Sequence, residues 1–406
     1  MPQVDHNRAH SRRLRRLLAA LEAASPEPTD TEPRGVEVVR APGCVNLMGD
    51  HTESNDGLVL PVAIGLDTWL AYRPRHDGHV RVVSTQDAAT SSFWIDDVSP
   101  EPRGRFETWP AYVEGMAWSL REAALSVHGL DGVVDQLVPT DAGLGSAAAL
   151  ELAAGLALLG DAHTLVDRPS LAALAQRAER DYVGTDGGIM YQYSAASGCA
   201  GQAILLDCRS LESRHVTLPR GLSVVVCDPG WRLDDWSTLA AERRAECGRA
   251  VALIAERVPS VASLRDLDEA TLHRQSYLLP AAVARRAQHV VAENERVIAT
   301  RAALETGDLD ALGRSFAASH QSQRTLYEVG SPAADAMVEI ALSVRGVIAA
   351  RMTEGERGGY TVNLVLDEAV PALQATMARR YADRTGLNAH VYPVPVVDAA
   401  GFVATE

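Results

Sequence analysis

Arg40-Ala41-Pro42-Gly43-Cys44-Val45-Asn46-Leu47-Met48-Gly49-Asp50-His51-Thr52-Glu53 carries the densest chemistry in this chain. It continues from Val36-Glu37-Val38-Val39, whose alternation predicts a strand, and sets two carboxylates and an imidazole just beyond Gly49. Two more glycine-bearing blocks stand far from it. Pro139-Thr140-Asp141-Ala142-Gly143-Leu144-Gly145-Ser146 opens onto an Ala/Leu-rich helix over 147–159, and Arg351-Met352-Thr353-Glu354-Gly355-Glu356-Arg357-Gly358-Gly359 precedes a strand. A glycine-rich loop at a helix start offers unpaired N–H groups and the positive dipole end, which suits phosphate. The same loop also suits a tight turn packed on a neighbour.

The chain has 406 residues, 38 basic against 53 acidic, and a net charge of −15. Every basic residue is arginine, so a Schiff-base lysine and a Walker A lysine are both excluded. The acidic balance argues against nucleic acid, which is held by clustered cations. Five scattered cysteines (Cys44, Cys199, Cys208, Cys227, Cys247) without CxxC spacing argue against a disulfide framework or a structural zinc site, and no metal ligands are assigned. A reducing cytoplasm is the expected compartment. No stretch reads as the ~20 apolar residues of a membrane span.

Leu14, Leu17, Leu18 and Leu21 recur at helical spacing, so the twin-arginine look of Arg12-Arg13 is better read as an amphipathic first helix. Ser25 to Arg34 reads as a linker. Strands are predicted over 66–72, 79–84, 133–138, 202–207, 222–228, 360–366 and 390–394, with Arg75-His76-Asp77-Gly78 as a hairpin turn between the first two. Helices are predicted over 110–128, 147–159, 170–182, 240–254, 282–306 and 309–327. This order gives an α+β architecture with helices segregated from mixed or antiparallel sheets.

The three blocks together resemble the galactokinases of the GHMP kinase superfamily. Asn55-Asp56-Gly57-Leu58-Val59-Leu60-Pro61, Leu206 to Glu212, Glu242 to Cys247 and Glu293-Asn294-Glu295-Arg296 extend the likeness over nearly the whole chain. The resemblance implies a two-lobed GHMP kinase fold with a ligand cleft between lobes: a helix and linker over 1–35, an amino-terminal lobe over 36–215 and a carboxy-terminal lobe over 216–406. It implies a sugar substrate, with ATP and magnesium only if kinase activity survives, and neither nucleic acid nor membrane as partner.

Several positions depart from the family pattern. Cys44 stands where the family has an arginine that stabilises the transferring phosphoryl group, a role needing a permanent charge. Gly188-Ile189-Met190-Tyr191-Gln192 replaces the aspartate of the family's Gly-Ile-Met-Asp-Gln with Tyr191, and a phenol of ordinary pKa about 10 is a poor base. Gly145-Ser146-Ala147 keeps one of the family's consecutive serines, and Glu354, Gly355, Glu356 and Arg357 replace a glycine run. In the sugar pocket Asp50 and Glu53 exchange acidic types around His51, Gln192 follows Tyr191, Ala240 takes the place of a sugar-contacting tyrosine, and Trp231 and Trp236 add bulk nearby.

Three readings follow. The favoured one is a repurposed, non-kinase enzyme on a sugar or cyclitol-like molecule, in a specialised biosynthetic pathway. Tyr191 would act as acid or electrophile, Asp50, His51, Glu53, Gln192 and Trp231 would meet the ligand, and Cys44 would be either a nucleophile or simple packing. The second is a sugar or cyclitol 1-kinase whose lost carboxylate is replaced by Asp186, Glu354 or Glu356, with Gly143, Gly145 and Ser146 on phosphate. The third is a non-catalytic sugar sensor.

Overall fold

The computed structural model describes residues 2–24, 35–87, 89–100, 108–140, 143–185, 187–353 and 359–404. It begins with the amphipathic helix α1 (Pro2–Ala24), which buries Leu17 and Leu21 against Val38, Trp69, Ala71 and Val133. Arg13 fixes the docking. Its guanidinium lies 4.9 Å over the Trp69 ring, pairs with Asp67, and reaches Asp135 at 2.6 Å.

The amino-terminal lobe contains β1 (Glu37–Asn46), β2 (Leu58–Val59), β3 (Pro61–Arg75), β4 (His79–Ser84), β5 (Thr90–Trp94), α2 (Pro110–Glu122) and β6 (Gly129–Gln136). After them come α3 (Ser146–Leu159), α4 (Arg168–Arg177), α5 (Met190–Ser197), β7 (Gln202–Asp207) and β8 (Ser213–Thr217). The main sheet runs β1-β3-β6-β4-β5, while β2, β7 and β8 form a smaller sheet. Helix α3, apolar on all sides, is the lobe's central helix, as such a composition demands. The run Ser146–Leu165 is long and apolar enough to cross a membrane, contrary to the expectation from sequence, but most of it is buried inside the fold.

The carboxy-terminal lobe contains β9 (Leu222–Asp228), α6 (Trp236–Ala255), α7 (Glu269–Gln275), α8 (Ala281–Thr306) and α9 (Leu309–Ser322), the last continuing as a π-helical turn, Gln323–Tyr327. Then follow α10 (Pro332–Leu342), β10 (Val347–Thr353), β11 (Tyr360–Leu366), α11 (Val370–Thr385) and β12 (His390–Val394). Its antiparallel sheet is ordered β10-β11-β9-β12. Finally β13 (Gly401–Phe402) returns to the first lobe and pairs with β1, so the chain's last strand belongs to the sheet that its first strand opened. The architecture is α+β, and its largest apolar cluster runs unbroken from Val39 and Ala153 to Phe316 and Leu364 across both lobes.

One local expectation fails. Arg75-His76-Asp77-Gly78 is not a hairpin turn, because β6 lies between β3 and β4, antiparallel to one and parallel to the other. Arg75 bonds both Asp77 and Asp131 of β6, which redirects the chain past the intervening strand. Strand order of this kind depends on a partner some fifty residues away, which local turn chemistry does not encode.

Removing Arg13 leaves Asp67 only its longer pair with Arg40 (3.7 Å) and Asp135 that with Arg16 (3.5 Å), so Arg13→Ala is expected to cost roughly 2 kcal/mol, read as a lowered denaturant midpoint.

Candidate functional site

Strand β1 carries a β-bulge between Pro42 and Gly43, ahead of the loop with Asp50, His51 and Glu53 that is the expected ligand loop. A side chain at Gly43 would meet the Leu144 carbonyl at 2.6 Å, so glycine lets β1 lie against the 143–146 loop. The Cys44 N–H then donates to Leu144 O at 2.9 Å. Gly145 caps α3 with φ +73, and a Cβ there would come 3.1 Å from the Tyr191 ring and 3.5 Å from the Cys44 nitrogen. Cys44, Gly145 and Tyr191 thus meet at one point, with Ser146 opening α3 beside them.

Cys44 is 1% exposed. Burial pushes its thiol far above the ordinary value, the Ser194 hydroxyl opposes the shift and Glu53 adds to it. A buried thiol held neutral is not an activated nucleophile, so the packing alternative for Cys44 is the one the geometry supports. Tyr191 is half-buried, and its ring lies against the loop where phosphate was expected.

Glu53 reaches the start of α5, where the Met190 N–H donates to its Oε1 at 2.5 Å. Gly188 makes this approach feasible, since a Cβ there would lie 1.9 Å from the Glu53 carboxyl carbon. Gln192, expected to meet ligand, is instead fully buried and donates to Glu151 (3.1 Å) and Glu179. Burial and the Glu179 charge push the Glu151 carboxyl well upward, and burial raises Glu179 as well. Gln192 thus bridges two buried acids, and among the described residues no group of three or more His, Cys, Asp or Glu is arranged for a metal.

Asp50 and His51 lie where the two lobes meet. Asp50 is fully buried, with Oδ1 taken by Asn46 (2.9 Å) and Arg351 (3.1 Å) and Oδ2 by Arg351 (2.6 Å) and Gln323 (3.1 Å). Its lone pairs are committed to the protein, which argues against a direct ligand contact. His51, at φ +65, stacks on Tyr327 of the other lobe with ring centroids 4.1 Å apart. Trp231 sits half-buried at the end of β9 beside Arg232, whose guanidinium holds Asp228 and lies 5.6 Å over the Tyr360 ring. Trp236 packs on the apolar cluster of α6 and α8. Asp186, Glu354, Gly355, Glu356 and Arg357 lie outside the described residues.

Sequence reasoning did not single out Arg351, Gln323, Tyr327 and His289 as the partners of the ligand loop. Glu293 and Asn294 were recognised only as part of a motif; they accept from the Gly49 and Leu58 N–H groups. For Glu293 and Asn294 the available signal was the motif itself, whereas Arg351 lies 301 residues from Asp50 and no local pattern links the two.

The two-lobed α+β fold with its glycine loops defines the GHMP kinase class. Residues 29–74 match a family described as the galactokinase galactose-binding signature, and residues 111–199 match the GHMP kinase N-terminal domain. The chain is 41% identical over 351 residues to the galactokinase of Chloroflexus aurantiacus, covering 86% of this chain and 89% of the relative. It is 39% identical over 366 residues to that of a Roseiflexus species, covering 90% and 93%. The Lactococcus lactis galactokinase complexed with galactose superposes with a TM-score of 0.85 at 30% identity, covering 91% of this chain and 96% of that one. The Methanococcus jannaschii mevalonate kinase, at 13% identity and TM-score 0.62, shares the fold across 92% of this chain and 100% of its own. The chain belongs to the galactokinase family.

Two outcomes check this geometry. Iodoacetamide is expected to leave Cys44 unmodified in the native protein and to label it after unfolding, as read by peptide mass spectrometry. In acid, burial holds His289 down from 6.5 to about 3. Burial alone would raise Glu293, but Arg296, His289 and Arg351 outweigh it and hold that carboxyl at about 2. Both shifts are depressions, so their stability is fully present above the unfolded values and is lost as pH falls through the folded ones. The denaturant midpoint is expected to fall between pH 6.5 and 2, and Glu293→Gln should flatten the lower part of that slope.

Proposed function

We propose that this member of the galactokinase family binds a sugar or cyclitol-like polyol in the cleft and carries out chemistry other than conventional phosphoryl transfer from ATP. The contact of Tyr191 with Gly145 and the buried, neutral Cys44 carries this reading. Transfer needs a fixed positive charge on the moving group and a carboxylate to take the hydroxyl proton. At the positions where the family resemblance puts them stand a thiol and a phenol. A phenol can donate a hydrogen bond or a proton to a bound polyol, and the Glu53 carboxylate, held by the N–H of the preceding residue Met190, can accept one. A reducing cytoplasm suits the five free thiols, and a specialised biosynthetic pathway suits a cleft altered at its reactive point.

The loop residues fit ATP and magnesium poorly. Among the described residues of the 143–146 loop Ser146 supplies the one side-chain hydroxyl, no cationic side chain is present, and the Tyr191 ring lies against Gly145. A second reading, a sugar 1-kinase with relocated groups, is favoured by the 41% identity to a galactokinase.

A general base contributes about 10²–10⁴ in rate and a charge-stabilising donor about 10²–10³. Turnover of D-galactose with ATP and magnesium is therefore expected at least ~10⁴ below that of the Lactococcus enzyme in a coupled ADP assay. Galactose phosphate formed within ~100-fold of that enzyme would establish the second reading instead. Titration calorimetry with D-galactose and myo-inositol tests the binding half, since binding without turnover of any polyol favours a sensor. Cys44→Arg with Tyr191→Asp, which leaves Gly145 and its left-handed backbone in place, is expected to regain measurable kinase activity.

A further inference from the structure

We propose that Asp50 is a positioning residue: with Arg351 it clamps the ligand loop to β10 and thereby holds Glu53 against the start of α5. Arg351 is fully buried and places five N–H contacts: Nε on Leu47 O (2.8 Å), Nη1 on Asp50 Oδ2 (2.6 Å) and Met352 O (2.7 Å), Nη2 on Asn46 O (2.9 Å) and Asp50 Oδ1 (3.1 Å). One guanidinium therefore grips both ends of a turn in the amino-terminal lobe and its own strand in the other lobe. A planar fork of fixed donors is suited to this, and a point charge is not.

The surrounding contacts all act in the same direction. The Asp50 carbonyl meets His289 Nε2 at 3.2 Å, the Gly49 N–H reaches Glu293, and the Thr353 hydroxyl donates to Asn46 O at 3.1 Å. Three residues beyond Asp50, and one beyond the buried Thr52, Glu53 accepts from Met190 N–H. Between clamp and carboxylate lie the left-handed turn at His51 and Thr52, whose hydroxyl bonds Gly49 O at 2.7 Å and Leu58 O at 2.6 Å and so ties Glu53 to the clamped turn. That Glu53 meets a polyol rests on the function proposed above. That the clamp holds Glu53 in place does not.

The test compares amide hydrogen exchange in the full chain for Asp50→Asn, Asp50→Glu and Glu53→Gln. Asp50→Asn keeps the shape but removes the charge, and is expected to speed exchange about tenfold at Met190 and Leu60 and across 347–353, with the β3–β6 ladder unchanged. Asp50→Glu, which keeps the charge, is expected to recover most of that protection, and Glu53→Gln to speed Met190 alone. Uniform acceleration including β3–β6 would mean a general structural role, and no acceleration at Met190 would mean that Asp50 does not position Glu53; either overturns the proposal. If Asp50→Asn does not fold, Gln323→Met, which removes one contact to Asp50 Oδ2, is read the same way with a smaller expected change. Calorimetry with D-galactose on the same variants is a separate arm: absence of wild-type binding defeats the assigned ligand class while exchange still decides the clamp.

Discussion

Two opposite charges lie entirely out of water where the lobes meet. Burying an ion pair is expensive, and the cost is offset only when geometry is close to ideal and every remaining donor and acceptor is occupied. The Asp50–Arg351 pair meets that condition through Asn46, Gln323, Leu47 O and Met352 O. The turn Asn46–Asp50, the root of the third glycine block at Thr353 and the π-helical turn carrying Gln323 share this one bidentate pair. The lobes are consequently joined by charge and geometry as well as by their common apolar cluster.

The altered positions of the cleft are consistent with one another physically. An arginine at position 44 would be a buried cation with Glu53 as the carboxylate in reach, since position 191 supplies none. A tyrosine ring in turn needs room, which Gly145 provides by presenting no side chain at a backbone geometry that only glycine adopts readily. Cys44, Gly145 and Tyr191 thus pack at one point, with the Glu53 carboxylate in electrostatic reach of the thiol. Burial favours the protonated forms of the carboxylates Glu151 and Glu179.

Periodicity made most elements legible. The helices over 147–159 and 282–306 and the strands over 202–207 and 222–228 lie where apolar spacing puts them, because each signal is contained within its own segment. The galactokinase likeness was legible from its three blocks. Less of the site could be read. Asp50 looks like a ligand residue until Arg351, 301 residues away, is brought beside it, and Gln192 looks exposed until Glu151 and Glu179 close around it. The order of β3, β6 and β4 has the same cause, since a partner's identity is set by the assembled sheet. Cys44 lay between: its sequence context admitted nucleophile or packing, and only burial separates them.

The return of β13 to β1 has a consequence for how the protein is made. Val39 and Arg40 pair with Phe402 and Gly401, and Arg40 bonds the Asp398 carbonyl 358 positions along the chain, so this stretch of the sheet's edge has no partner until those residues are made. An uncovered strand edge is a template for pairing with other chains, and contacts of such sequence separation form slowly. During synthesis that stretch of edge is exposed to misassembly until residues 398–402 have been made.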